Sequence, residues 1–109
     1  DWIDGENGDD HIEGELGADY IRGDGGRDTI SGGGDNDTLF GNQGQDKIFG
    51  DGGDDLIDGG DDVDKLDGGH GSDTVYGDAG SDYIYGNAGN DVLIGGLGSD
   101  QIDGGDGHD

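Results

Sequence analysis

The sequence predicts an all-β solenoid of very short strands, and three observations carry that expectation. Aspartate recurs every nine residues from Asp1 to Asp109 without an insertion. In each unit an aliphatic residue follows the aspartate by two positions and a glycine follows it by four, so one unit, G-x-x-G-x-D-x-U-x with U aliphatic, is copied in phase. Glycine supplies 30 of the 109 residues, and glycine that dense would cost about 1 kcal/mol at each helix-interior position, so the unit is not helical. A repeat this regular is the unit of both fold and function.

The strands are the x-U-x tripeptides, which alternate outward, inward, outward between Gly-rich turns. In order they centre on Ile3, Ile12, Ile21, Ile30, Leu39, Ile48, Ile57, Leu66, Val75, Ile84, Leu93 and Ile102. The chain enters in mid-unit at Asp1 to Asp4, runs through full repeats over 5–103 and stops in a partial unit, Gly104 to Asp109. No linker or composition shift interrupts it, so residues 1–109 are expected to be a single array. The array is expected to be a fragment of a larger protein whose open terminal coils associate or fray without flanking residues.

Composition says what must hold such a chain together. It is 26% hydrophobic, with 29 acidic residues against 4 basic ones and a formal charge of −25, which places it among sequences that do not collapse unaided. Twelve inward aliphatics do not offset the ordering of so many glycines, and without cysteine there is no disulfide to help. The acidic excess repels nucleic acid and anionic membrane; the natural partner is a cation. No apolar stretch is long enough for a transmembrane helix or a signal peptide. His11, His70 and His108 fall at different positions of their units and share no zinc-ligand spacing. No HExxH and no serine triad is present, and carboxylate pairs repeated everywhere suit a cation better than glycosidase chemistry.

Stretches such as Gly68-Gly69-His70-Gly71-Ser72-Asp73-Thr74-Val75-Tyr76 and Gly95-Gly96-Leu97-Gly98-Ser99-Asp100-Gln101-Ile102-Asp103 match G-G-x-G-x-D-x-U-x at every fixed position. The chain therefore resembles, over its whole length, the calcium-binding nonapeptides of RTX (repeats-in-toxin) proteins. The resemblance implies a right-handed parallel β-roll, a β-helix-like solenoid with two nonapeptides per coil and about six coils, and Ca²⁺ between turns one coil apart. One turn would give the carbonyls of its second and fourth residues and its aspartate; the turn one coil later would give those of its first and third residues and its own aspartate. Six oxygens suit a hard cation.

Carried over, one site uses Asn42, Gly44 and Asp46 with Gly59, Asp61 and Asp64. The same pattern assigns Gly8, Gly17, Gly26, Gly53, Gly71, Gly80, Gly89 and Gly98 as carbonyl ligands. The aspartates form two columns, Asp10, Asp28, Asp46, Asp64, Asp82, Asp100 and Asp19, Asp37, Asp55, Asp73, Asp91, Asp109. Each carboxylate can bridge the ion below and the ion above. Five gaps per column imply about ten ions, whose +20 brings −25 to −5 and relieves self-repulsion.

The resemblance further implies a non-catalytic module of a secreted or cell-surface bacterial protein, with type I secretion and a toxin, protease, lipase, epimerase or adhesin as parent. The alternatives are a self-associating surface-layer, adhesin or filament building block, or a carbohydrate-binding accessory module, which would need a basic groove that four Lys and Arg residues hardly make.

Converging carbonyls need sharp bends, and glycine reaches φ > 0 without steric cost. Asp35 and Asp62 replace the fourth-position glycine and are expected to distort their turns, while Glu6 and Glu15 make the first two turns the least favourable. Of the two outward faces, the one carrying Tyr20, Phe40, Leu56, Tyr76, Val92 and Ile94 is the more apolar. It is the expected surface for self-association or for a neighbouring domain.

Overall fold

The computed structural model describes residues 1–109. Each nonapeptide contributes one strand: β1 Trp2–Asp4, β2 His11–Glu13, β3 Tyr20–Gly25, β4 Thr29–Gly34, β5 Thr38–Gln43, β6 Lys47–Gly52, β7 Leu56–Asp61, β8 Lys65–His70, β9 Thr74–Ala79, β10 Tyr83–Ala88, β11 Val92–Ile94 and β12 Gln101–Asp103. Odd-numbered strands form one 6-stranded parallel sheet and even-numbered strands the other. Register is constant, with Ile21 beside Leu39 and Leu39 beside Ile57, so two nonapeptides close one coil and the chain is a parallel β-roll of about six coils.

Period-2 alternation sends one aliphatic side chain per strand between the sheets. Nine of them, Ile12 through Ile84, are buried at 0 to 7% exposure. Ile3 and Leu93 pack partly against this file, and Ile102 is 49% exposed. The slab is only 13 Å through its thinnest direction, two sheets deep with a single layer of side chains between them.

The strands of β3 to β10 run 6 residues, twice the expected tripeptide. The ladder pairs Tyr20, Ile21 and Arg22 with Thr38, Leu39 and Phe40, skips the glycine, and resumes at Asp24 and Gly25. Turn backbones are thus hydrogen-bonded from coil to coil, as in Gly25 N–H to the Glu6 carbonyl at 2.8 Å and Gly8 N–H to the Gly25 carbonyl at 2.7 Å. Buried main-chain groups need such partners, and stacking supplies them where a tripeptide strand would not.

Backbone dihedrals revise the reason for the glycines. All second positions have positive φ, including Glu6 at 67° and Glu15 at 75°, so the first two turns bend like the rest. At the fourth position, glycines with positive φ lie between 107° and 148°, whereas Asp35 and Asp62 sit at 80° and 76°; the aspartates keep the bend but in the tighter region open to an L-residue. The first position, glycine in every turn, has no positive φ. Its glycine answers to space, not to dihedral freedom.

Candidate metal centre

Each repeat aspartate stands at the end of its turn, just before a strand, where the coil carries its side chain inward. From Asp19 to Asp91 these residues are 0 to 4% exposed. Every one is fixed in the same way: Oδ1 accepts from the main-chain nitrogen of the aspartate one coil earlier, an amide N–H throughout except at Asp19, where the donor is the N-terminal ammonium of Asp1. In one column Asp28 N–H reaches Asp46 Oδ1 at 2.8 Å and Asp46 N–H reaches Asp64 Oδ1 at 2.8 Å. In the other, Asp37 N–H reaches Asp55 Oδ1 at 2.8 Å and Asp55 N–H reaches Asp73 Oδ1 at 2.9 Å.

The second oxygen is left without a partner. Oδ2 is buried and makes no hydrogen bond at Asp10, Asp19, Asp28, Asp37, Asp46, Asp55, Asp64, Asp73, Asp82 and Asp91. A buried carboxylate oxygen in that state is costly unless a positive charge meets it. These ten residues are the aspartates that close a complete turn and have a further coil stacked beyond them.

What Oδ2 faces explains the first-position glycine. A methyl carbon built on Gly41 would lie 2.5 Å from Asp46 Oδ2 and 2.5 Å from the Gly59 carbonyl oxygen of the next coil. At Gly86 the same point lies 2.5 Å from Asp91 Oδ2 and from the Gly104 carbonyl. Oxygens of the aspartate and of the next coil thus crowd the space that a side chain at the first position would need, and only glycine leaves them room.

The direction of each turn carbonyl follows its position in the unit. Second-position carbonyls point forward, since a Cβ on Gly60 would strike the Asn42 oxygen; fourth-position carbonyls do likewise, that of Gly26 facing Gly44 and that of Gly80 facing Gly98. First-position carbonyls point back, as Gly59 does toward Gly41, and third-position carbonyls also face the earlier coil, where the Gln43 oxygen accepts from Gly26 N–H at 3.0 Å. Second- and third-position carbonyls carry inter-coil hydrogen bonds as well, a role the sequence reading did not foresee. No cluster of three His, Cys, Asp or Glu side chains forms, so a cation between coils depends on main-chain oxygens. His11 turns outward to Glu13 at 3.0 Å.

Burial raises the carboxyls in the middle of the columns, from Asp28 to Asp82, above the usual range. Asp46 is pushed up to about 6, Asp55 to about 7 and Asp64 to about 8, in each case by desolvation first, opposed by the amide hydrogen bond and reinforced by repulsion from neighbouring carboxylates. Asp28, Asp37, Asp73 and Asp82 move the same way for the same leading cause. The folded columns resist carrying negative charge without compensation.

A second set of contacts, between the ninth position of one turn and the second position a coil later, was not legible from the nine-residue unit. Ser31 Oγ donates to Asp51 and Asn87 Nδ2 donates to Asp67. Asp58 feels Asp78 across the same separation and is raised to about 6, by burial first and then by repulsion from that neighbour. Their separation of 20 residues is one coil plus two positions, so the signal appears only once the coil length is known.

The family model of the RTX calcium-binding nonapeptide repeat, in its form with 4 copies, matches residues 1–30, 14–48, 31–66, 40–75, 49–84 and 76–109. No curated protein matches the chain. Every residue lies inside at least one family match and the orphaned carboxylates face the gaps between coils, and on these grounds the chain belongs to the RTX calcium-binding nonapeptide repeat family, as a structural β-roll domain of it.

Proposed function

We propose that this chain is a non-catalytic module that folds when calcium enters the gaps between its coils. The observation that carries the reading is the set of ten buried, unpartnered Oδ2 atoms from Asp10 to Asp91. Calcium supplies each gap with two positive charges and a demand for six to eight oxygens. Asp46 and Asp64 would act through side chains, and Asn42, Gly44, Gly59 and Asp61 through carbonyls; the other gaps use the equivalent residues. About ten ions would bind, with affinities of roughly 10⁻⁴ to 10⁻³ M like other extracellular modules.

Such a switch leaves the chain disordered where calcium is scarce and rigid where it is abundant. It fits a domain of a secreted or cell-surface bacterial protein that is exported unfolded by type I secretion. The same chain offers a surface for a neighbouring domain or a second copy on the odd-numbered sheet, where Trp2 meets Tyr20 edge-on at 5.6 Å and Tyr20 meets Phe40 at 5.4 Å. The test is far-UV circular dichroism: coil in EDTA and cooperative β signal in millimolar calcium are expected, with magnesium a poor substitute. A folded spectrum in EDTA would end the proposal.

A further inference from the structure

Only four Lys and Arg residues occur in the chain, and the fold gathers three of them, Arg27, Lys47 and Lys65, around one hollow beside the even-numbered sheet. Tyr83, Asp46 and Asp64 line the same hollow. Lys47 and Lys65 open β6 and β8 and are direct partners in register, with Tyr83 next in the row. Arg27 comes from a turn one coil earlier and donates from its guanidinium to Gln45 at 3.3 Å. Lys65 Nζ stands 5.9 Å from the centroid of the Phe49 ring.

None of the three is in an ion pair. The salt bridges of the chain involve the N-terminus, His11 and Arg22, although 29 acidic residues are on offer. Asp67 feels the field of Lys65 without pairing to it. Like charges directly opposite on adjacent strands are destabilising, so cations serving only as charge balance would stand apart, each beside a carboxylate. The acidic groups that do line the hollow, Asp46 and Asp64, belong to the ion column. Calcium there neutralises them and leaves the hollow with a net positive charge.

We propose that this hollow is a binding site for an oxyanion of the sulfate, phosphate or carboxylate class, formed only in the calcium-loaded domain. The inference rests on the calcium reading above. Arg27 presents a planar fork to two oxygens of the anion, while Lys47 and, once turned from the Phe49 ring, Lys65 act as point charges one strand apart, and Tyr83 offers a ring edge and a hydroxyl at the rim. Because the anion and calcium stabilise the same state, each tightens the other's binding.

The probe is sodium sulfate, titrated into the whole chain in millimolar calcium against sodium chloride at equal ionic strength, with the Arg27, Lys47 and Lys65 side-chain resonances followed by NMR. Saturable shifts with sulfate alone are expected, together with a fall in the calcium midpoint of folding. The double variant Lys47→Gln/Lys65→Gln should bind sulfate at least about tenfold more weakly, with its own calcium midpoint in chloride little changed and no longer responsive to sulfate. Arg27→Gln, at an exposed turn position, gives a second reading if the double variant folds poorly. Equal responses to sulfate and chloride, or undiminished sulfate binding in both variants, would overturn the site. So would lysine substitutions that move the calcium midpoint while leaving sulfate without effect in the wild type, since the lysines would then only balance charge. A chain that calcium fails to fold sinks the calcium reading, whereas a calcium-folded chain indifferent to sulfate sinks the anion site alone.

Discussion

Gly41→Ala separates a glycine kept for space from one kept for backbone freedom. Gly41 has no positive φ, and at an ordinary dihedral the change from glycine to alanine stabilises a protein by about 0.4–1 kcal/mol through the unfolded chain. Here the new methyl carbon would sit 2.5 Å from Asp46 Oδ2 and 2.5 Å from the Gly59 carbonyl, about 1 Å short of ordinary contact on either side. Opposite walls of one gap must spread, and overpacking of that kind costs about 1–3 kcal/mol. Gly52→Ala is the control: Gly52 also lacks a positive φ, and its methyl would meet nothing closer than the Gly33 carbonyl at 3.9 Å. If about ten ions bind together, 2 kcal/mol moves the calcium midpoint only about 1.4-fold. Urea unfolding at saturating calcium is therefore the sharper assay, with a shift of about 1 M toward lower urea at ordinary m-values. Calcium stoichiometry should also fall by about one ion per chain, because the methyl forces apart Asp46 Oδ2 and the Gly59 carbonyl, two of the expected ligands of one site. Identical urea midpoints and stoichiometries for Gly41→Ala and Gly52→Ala would refute the reasoning.

Acidity should act in the opposite sense to calcium removal. The folded carboxyls of Asp46, Asp55 and Asp64 lie at about 6, 7 and 8, above their unfolded value near 3.8, so the folded state binds the extra protons. Their contribution is fully present below about pH 4 and is lost as pH rises through 6 to 8. Calcium-free chain should gain β signal on going from pH 8 to pH 4.5, and equal spectra at both would contradict this. Asp46→Ala also strips the Asp28 amide of its acceptor, at about 1–3 kcal/mol, and should raise the calcium midpoint more than Asp10→Ala does; isothermal titration would expose equal effects. Ile48→Ala should cost about 2–5 kcal/mol and Ile102→Ala far less, since Ile48 is 0% and Ile102 49% exposed, and urea melts compare the two directly.

Much of this fold is legible in the sequence because its core is one residue wide. An aliphatic two positions after each aspartate can only be the inward residue of a short strand, and Ile21, Leu39 and Ile57 stack as that pattern requires. The nine-residue period, however, does not state how many units close a coil. That came from resemblance, and contacts depending on it, such as Ser31 with Asp51 or the gathering of Arg27 with Lys47 and Lys65, stay invisible in any single unit. The invariant first-position glycine was legible as a pattern but not as a cause. Its reason is an atom of the next coil, Gly59 against Gly41, and composition carries no trace of it. The amide held by each aspartate Oδ1 was hidden likewise, because a carboxylate destined for a metal gives no sequence sign of a second duty.

The alternation of successive strands between two sheets sets how such a gene can grow. Duplication of two repeats together inserts a whole coil, and every later side chain keeps its sheet, its neighbours and its outward surroundings. Gain or loss of one repeat leaves the aliphatic file and both aspartate columns intact, since any unit serves either side, yet it transfers all downstream outward residues to the opposite sheet. Folding would tolerate the event while the surface would be reshuffled: Lys65 would leave Lys47 and join the aromatic side. Selection acting on the exterior therefore favours length changes in steps of eighteen residues, although the chemistry of the interior counts in nines.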